Sequence, residues 1–159
     1  IETYKAPLAA NNYTFSFSAI TPDDASALVL VYSMAATAAL NLQLVVENIA
    51  NNETNWIRID SAAVTALQLT AQTQQQICSS TSLSGLDNTA NGLVYIQKPD
   101  TGTQRPTITF QNSSQNSGAV EIGGGLCVGT PASFTDIEIK TSTSTWKADS
   151  IFSLYKILR

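Results

Sequence analysis

The chain of 159 residues contains no histidine and few charged residues. Its eight basic and twelve acidic residues make up 13% of the chain, against about 25% in ordinary soluble domains. Without histidine there is no Ser–His or Cys–His nucleophile, no imidazole metal ligand, and no side chain with an unperturbed pKa near 7. We therefore predict that the protein is not an enzyme, and we predict no catalytic residues, no metal site and no cofactor.

Basic residues are especially scarce, and this argues against a further class of partner. Proteins that bind nucleic acid hold its phosphates with clustered Lys and Arg. Here eight basic residues are scattered along a chain of net charge −4. We expect no nucleic-acid partner.

Cysteine is limited to Cys78 and Cys127. Two cysteines are too few for a disulfide scaffold, and they lack the CxxC spacing of redox and zinc motifs. The prediction is that both are buried thiols, which behave as small hydrophobic groups. A single bridge between them is the alternative if the protein is secreted.

Neutral polar residues take the place of the missing charges. Thr, Ser, Asn and Gln together account for 57 of the 159 residues, while 43% of the chain is apolar. That apolar fraction and the low net charge argue against disorder. Since about 150 residues correspond to one domain, and no linker divides the chain, residues 1–159 are predicted to form a single domain.

One apolar stretch invites a membrane interpretation. In residues 27–46, sixteen of twenty residues are apolar and none is charged, and a membrane-spanning helix needs about 20 such residues. However, Leu40, Leu42 and Leu44 alternate with polar residues, which is the period of a strand. We predict two strands joined by residues 34–39, and no membrane insertion.

Strand patterns continue along most of the chain and are separated by turn residues. Residues 61–76 are ambiguous, because their Ala, Leu and Gln favour a helix by propensity while residues 64–70 also fit a strand. We predict strand or irregular structure there, and a loop at residues 51–55. Eight to ten short strands without a long helix indicate an all-β sandwich or barrel. Besides the two strands in residues 27–46, the predicted strands are residues 13–18, 56–60, 92–97, 107–111, 119–122, 134–140 and 150–158.

Three local patterns contain residue types that occur in phosphate-binding, catalytic or calcium-binding sites. The Gly123–Gly124–Gly125 run lacks the Lys and the helix of a phosphate loop, so a bulge or tight bend with close backbone approach is predicted. Asp136 and Glu138 share one face of a strand, which suits a solvated face better than a glycosidase pair. Asp23 and Asp24 lack the spacing of a calcium loop.

An uncharged surface rich in amides and hydroxyls suits carbohydrate, with an aromatic ring covering the apolar face of a sugar. Trp56, beside Asn52 and Asn55 at a predicted loop–strand junction, is the best candidate. Trp146 is the second. The alternative is that both tryptophans are core or interface residues.

Two segments carry a resemblance to a known family. Residues 28–33 (LVLVYS), followed by an alternating strand and residues 51–56 (NNETNW), resemble the start of jelly-roll virion proteins of tailed bacteriophages. Residues 146–157 (WKADSIFSLYKI) are similar to the closing strand of those proteins.

The resemblance implies a two-sheet, jelly-roll-like antiparallel β-sandwich displayed on a virion, as a tail-fibre, receptor-binding or capsid-decoration module. It also implies a homotrimer whose partners are other virion proteins and possible host-surface glycans, with Ala35, Ala36, Ala38 and Ala39 either against neighbouring subunits or in the core. A secreted carbohydrate-binding module or lectin is the alternative, and a glycan-cleaving enzyme is a third.

Overall fold

The computed structural model is built from strands, and no helix occurs in the part of the chain that it describes. It describes residues 2–20, 27–36, 38, 41–46, 52–60, 63–72, 74–78, 89–97, 106–115, 118–126, 134–142 and 144–157. The strands are β1 (Glu2–Lys5), β2 (Asn12–Ile20), β3 (Ala27–Ala35), β4 (Leu42–Val46), β5 (Asn52–Ile59), β6 (Val64–Gln72), β7 (Gln75–Cys78), β8 (Thr89–Gln97), β9 (Thr107–Ser114), β10 (Val120–Leu126), β11 (Phe134–Thr141) and β12 (Ile151–Ile157).

The strands form two antiparallel sheets packed as a sandwich, which confirms the predicted fold class. The larger sheet has eight strands in the order β1-β12-β3-β8-β9-β10-β5-β6, and the smaller has four in the order β2-β11-β4-β7. Without β5, β6, β9 and β10, the two orders are those of an eight-stranded jelly roll with two Greek keys. The β5–β6 and β9–β10 hairpins therefore extend one jelly-roll sheet by four strands.

The core lies between the sheets and follows the alternation of each strand. Leu28, Leu30 and Tyr32 of β3 are buried at every second position, and they belong to the same core cluster as Ile137 and Ile139 of β11. Successive side chains of a strand point to opposite faces, so a strand covered by the other sheet contributes about every second residue to this layer. The largest fully buried side chain is Trp146.

The apolar stretch at residues 27–46 contains two strands, β3 and β4, as predicted. The described residues contain no helix long and apolar enough to cross a membrane. The predicted connection begins too early, because Met34 and Ala35 still pair with β8. Ala36 forms a bridge with Trp146 and is fully buried, whereas Ala38 is exposed; Ala39 lies outside the described residues.

The structure shows strands in the ambiguous segment at residues 61–76, and it contains two short strands, β1 and β7, that the sequence pattern did not predict. β6 and β7 occupy the region where helix and strand competed, because pairing with β5 and β4 outweighs the helix propensity of Ala, Leu and Gln. The missed strands β1 and β7 have four residues each, too few for a periodic pattern to stand out.

The triple glycine is a regular part of β10, so the predicted bulge or bend is wrong. Gly123, Gly124 and Gly125 pair in unbroken register with β9 and β5. The predicted close approach is confirmed, since a Cβ at Gly123 would overlap Trp56, and one at Gly125 would overlap the Glu53 carbonyl. Glycine is needed here for space between neighbouring strands.

Candidate functional site

The most unusual surface is the face of the eight-stranded sheet that points away from the smaller sheet, called here the outer face. Ten large apolar side chains are exposed among the described residues, and all except Leu8 lie on this face. Register pairs place them in adjacent rows; one row, for example, contains Val31, Leu93, Ile122 and Ile57. The nine residues are Val31, Ile57, Ile59, Val64, Leu93, Ile122, Ile151, Tyr155 and Ile157.

The outer face arises from an inverted pattern in two strands of the extension. In β5, Ile57 and Ile59 are exposed while Arg58 between them points inward. In β10, Ile122 is 51% exposed while Glu121 is fully buried. Residues 57–59 of β5 and 120–122 of β10 thus turn their apolar side chains to the outside and their charged side chains to the inside, the reverse of an ordinary solvated sheet.

The outer face carries very little charge. Among its described strand positions only Lys5 and Glu53 are charged, and Lys5 forms an ion pair with Asp149 at 2.8 Å. The outward positions of the smaller sheet differ, since they include Thr14 and Glu138. The sandwich therefore has one outward surface with several charged groups and one, the outer face, that is nearly uncharged and carries nine of the exposed large apolar side chains among neutral polar ones.

Two shallow depressions indent the outer face. One, of about 610 Å³, lies over β12, β3, β8, β9 and β10, with Val31, Leu93 and Ile151 beside Ser33 and Asn91. The other, of about 560 Å³, lies over β10, β5 and β6 and includes Ile57 and Ile122. The outer face is therefore not flat, and side chains of a partner can fit into its two depressions, as the shape complementarity of protein interfaces requires.

Directly behind the outer face, a row of polar residues crosses the inner side of the sheet. Tyr32, Gly92, Asn112, Glu121 and Arg58 are successive register partners on β3, β8, β9, β10 and β5. A Cβ at Gly92 would overlap the Tyr32 ring, so glycine leaves room for that ring to lie along the row.

The polar row ties the two sheets together. The Asn112 amide donates hydrogen bonds to the Ile77 carbonyl at 2.6 Å and to Glu121 Oε2 at 3.1 Å. Ile77 lies on β7, so this amide joins the sheets. Hydrogen bonds between buried polar groups can fix a unique arrangement of a core; in this row the Tyr32 hydroxyl and Asn112 Oδ1 have no hydrogen-bond partner among the described residues. The row is therefore best explained as structural.

The two titratable hydroxyl and thiol groups of this region stay protonated near neutral pH. Burial, then the charge and hydrogen bond of Glu121, raise the pKa of the Cys78 thiol well above its ordinary value, against a smaller lowering effect of Arg58. Burial, then Cys78 and Glu121, raise the pKa of Tyr32 in the same direction. A buried protonated thiol is a poor nucleophile, and the predicted burial of Cys78 is confirmed. Cys127 lies outside the described residues.

The structure does not gather the four candidate glycan-binding residues at one surface. Trp146 is fully buried and Trp56 is 6% exposed, because both rings point into the core. Asn55 is exposed on the opposite side of β5 from Trp56. The predicted loop at Asn52 and Asn55 is wrong, since β5 begins at Asn52 to pair with β6; the side chain of Asn52 is not described.

The two tryptophans are also far apart. Trp146 packs on Phe152 of β12, with ring centroids 4.9 Å apart, while Trp56 belongs to β5, five strands away in the sheet. At about 4.8 Å per strand this is a separation of roughly 24 Å. A shared sugar-binding platform built on both rings does not follow from this geometry.

The other candidate positions carry no assembled site in the described residues. Asp136 and Glu138 share one half-exposed face of β11, opposite Ser16 and Thr14, as the strand pattern predicted. Asp23 and Asp24 lie outside the described residues. Within the described part of the chain, no three His, Cys, Asp or Glu side chains form a group that could hold a metal ion.

The outer face was not found from the sequence, although the sequence carries a signal for it. Alternation in residues 56–60 and 120–122 is clear, but it does not say which half of the residues faces the core. The opposite charges of Arg58 and Glu121, which lie opposite each other on neighbouring strands, are the signal that could have indicated the inward side.

Comparison with known proteins gave no match: no family model fits the chain, and neither a curated protein nor a solved structure matches it significantly.

Proposed function

We propose that this protein is a structural component of a virus particle, displayed on the virion surface as in tailed bacteriophages. Copies of it assemble as a homotrimer through the outer face. The observation that carries this proposal is the concentration of nine exposed apolar side chains on one sheet face. The resemblance of residues 28–33, 51–56 and 146–157 to jelly-roll virion proteins is the reason for proposing a virion.

The dimensions of the outer face support an interface. At about 4.8 Å between strands and about 3.3 Å per residue, eight strands of about seven residues span roughly 38 Å by 23 Å, or roughly 900 Å². Stable interfaces bury about 800 Å² on each partner, an area that the whole face, with its neutral polar positions included, can supply. The face is large enough for a permanent contact.

The difference between the two outward surfaces supports an assembly in which the smaller sheet faces the exterior and the outer face contacts neighbouring subunits. The smaller sheet presents polar residues such as Thr14, Asp136 and Glu138 to solvent, and this surface suits the exterior of a particle. Ile57 and Ile122 on the other side are 48% and 51% exposed, and burying them in a neighbouring subunit is favourable by about 25 cal/mol for each Å² of apolar surface.

The oligomeric state tests the assembly. Sedimentation equilibrium of the chain is expected to give three times the chain mass, and the double variant Ile57→Asp with Ile122→Asp is expected to be a monomer. Thr14→Asp adds the same kind of charge on the smaller sheet and should leave the trimer intact. A parent protein that stays monomeric at high concentration, with a native circular dichroism spectrum, overturns the proposal.

The virion setting needs its own experiment. The protein should sediment with capsids or tails of its phage, and the double variant should not do so. Co-sedimentation with empty capsids supports capsid decoration, while binding to host-surface glycans supports receptor recognition. Absence of the protein from purified particles would count against both.

A secreted carbohydrate-binding module is the second candidate, and the larger depression favours it. Ser33, Asn91, Gln111 and Ser113 line that depression beside Leu93, which combines hydroxyl and amide groups with an apolar side. Binding of the protein to a glycan array, lost in Asn91→Ala, would support this function over assembly.

A further inference from the structure

The eight-stranded sheet ends in two very different edge strands. One edge is β1, which has four residues and carries Glu2 and Lys5. The other is β6, which has nine residues and contains no charged residue and no proline. Natural sheets protect their edges with short strands, charge, proline or bulges, so β1 is protected in ways that β6 is not.

Most of β6 is open to solvent on both faces. Val64, Thr65, Ala66 and Gln68 are exposed, with Val64 at 71%. The smaller sheet reaches β5 through β7, and β6 lies one strand further out. Only the half-buried Leu67 and Leu69 pack against the core. Among the described strands, β6 is therefore an exposed strand with a single hydrogen-bonded neighbour, β5.

The regular part of β6 is residues 64–69. These six residues pair with β5 in unbroken register, from Val64 opposite Ile59 to Leu69 opposite Thr54. Beyond them the register shifts, and Ala71 adopts a left-handed φ of 55°. An uncharged segment of six residues with strand propensity is long enough to pair with another strand.

We infer that β6 is a second interaction site, at which it pairs antiparallel with β6 of a second copy of the chain. The pairing is centred near Leu67 and joins two eight-stranded sheets across a two-fold axis. This inference goes beyond the trimer proposed above and does not depend on it. Where both contacts form, two-fold pairing links trimers to one another.

A second copy is the occupant that the observations favour. Because residues 64–69 carry no charge, two copies of β6 approach without repulsion, and an antiparallel pair of this length gains about six backbone hydrogen bonds. The outward residues Val64 and Ala66 continue the row pattern of Ile57 and Ile59. Two-fold pairing therefore makes the apolar outer faces of two chains continuous.

Hydrogen exchange measured at low and at high protein concentration tests the pairing. Amides of residues 64–69 that point away from β5 exchange freely in the monomer, and their protection should rise about tenfold or more at high concentration. Amides of β1 should show no such rise. The measurement is repeated with Ile57→Asp and Ile122→Asp, in which protection of β6 should persist even if trimers are lost.

A single variant separates the edge from the outer face. Thr65 is exposed on the side of β6 opposite to the outer face, so Thr65→Lys places a charge at the edge without altering that face. It should abolish the concentration-dependent protection and leave the trimer mass unchanged. Thr14→Lys, on the smaller sheet, is the matched control and should retain the protection.

Two results would overturn the inference. One is β6 exchange that does not depend on concentration, which would also point to a different occupant for this edge. The other is protection that survives in Thr65→Lys. Near-ultraviolet circular dichroism of each variant verifies that the fold is intact, and the trimer mass is read separately, so failure of this inference and failure of the proposed function are distinguishable.

Discussion

At the scale of single residues, the polar row behind the outer face contains a buried hydroxyl, that of Tyr32, without a hydrogen bond among the described residues. Tyr32 is buried, and its hydroxyl has no hydrogen-bond partner among the described residues. Leaving a buried donor unsatisfied costs about 1–3 kcal/mol. The ring itself packs near Phe152, with centroids 6.1 Å apart, so the ring stabilises the core while the hydroxyl opposes it.

Replacing Tyr32 with phenylalanine should therefore stabilise the protein. Tyr32→Phe keeps the ring and removes the unsatisfied hydroxyl, and the free energy of unfolding is expected to rise by about 1 kcal/mol. Urea denaturation at neutral pH measures the change. Tyr155→Phe, on the exposed outer face, is the control and should change stability by less than about 0.5 kcal/mol. A destabilised Tyr32→Phe would mean that the hydroxyl is bonded.

The same substitution should change the response to alkali. Burial raises the pKa of Tyr32 and of Cys78 in the folded state, so at high pH the unfolded chain binds fewer protons than the folded one. Stability is then fully present below the ordinary values of 9.0 for the thiol and 10.0 for the phenol, and it falls as the pH rises through them. Tyr32→Phe should remove the contribution of Tyr32 to the fall that begins near the phenol value, while that of Tyr13, whose pKa is raised by burial and by Glu2, remains.

At the scale of strands, the sequence indicates which segments are extended better than it indicates which side of each strand is buried. The patterns in residues 134–140 and 150–158 predicted β11 and β12, because Ile137 and Ile139 alternate with charged residues that face solvent. In residues 56–60 the alternation is as clear, yet Arg58 faces inward and the isoleucines face outward. An interpretation from local pattern assumes that the polar side of a strand faces solvent, and residues 57–59 do not follow that assumption.

The candidate site was less predictable than the fold for the same reason. Residue type alone predicts that Trp56 could cover the apolar face of a sugar. Its position in β5, however, places its ring in the core beside Gly123. The outer face depends on pairing between strands that are far apart in sequence, such as β3 with β8 and β10 with β5. No local window of sequence contains that information, and the opposite charges of Arg58 and Glu121 become a signal only when β5 and β10 are considered together.

One strand stores backbone strain that a substitution can release. Ala71, near the end of β6, has a φ of 55°, and the left-handed conformation costs a residue with a Cβ about 1–2 kcal/mol. Ala71→Gly should therefore raise the free energy of unfolding by about 1 kcal/mol, although glycine is ordinarily unfavourable in a strand. Guanidinium denaturation in the background of the Ile57→Asp with Ile122→Asp variant, which is expected to be monomeric, measures the change.

The control for Ala71 lies in the regular part of the same strand. Ala66→Gly should lower stability by roughly 0.5–1 kcal/mol, because Ala66 pairs in register with Ile57 and has no positive φ. Opposite signs for the two glycine variants are the expected result. A loss of stability in both would show that Ala71 is not strained in solution.

At the scale of the whole molecule, the low charge of the sequence and the apolar outer face predict how assembly responds to solvent. Only Lys5 and Glu53 are charged at the described strand positions of that face, and Lys5 is already paired with Asp149. Association should therefore depend little on sodium chloride, even from about 0.01 M to about 1 M, where the screening length falls from about 30 Å to about 3 Å.

Although association should depend little on sodium chloride, burial of apolar surface predicts that it depends on sulfate and on temperature. Sulfate strengthens apolar association and cooling weakens it, so the association constant should rise in sodium sulfate and fall on cooling from 25 °C to about 4 °C. Sedimentation equilibrium at each condition measures these changes, with the Ile57→Asp and Ile122→Asp variant as the non-associating control. If sodium chloride dissociates the trimer while cooling leaves it intact, ion pairs hold the subunits together, and the contact must lie on the charged smaller-sheet surface, which carries Asp136, Glu138 and Lys140.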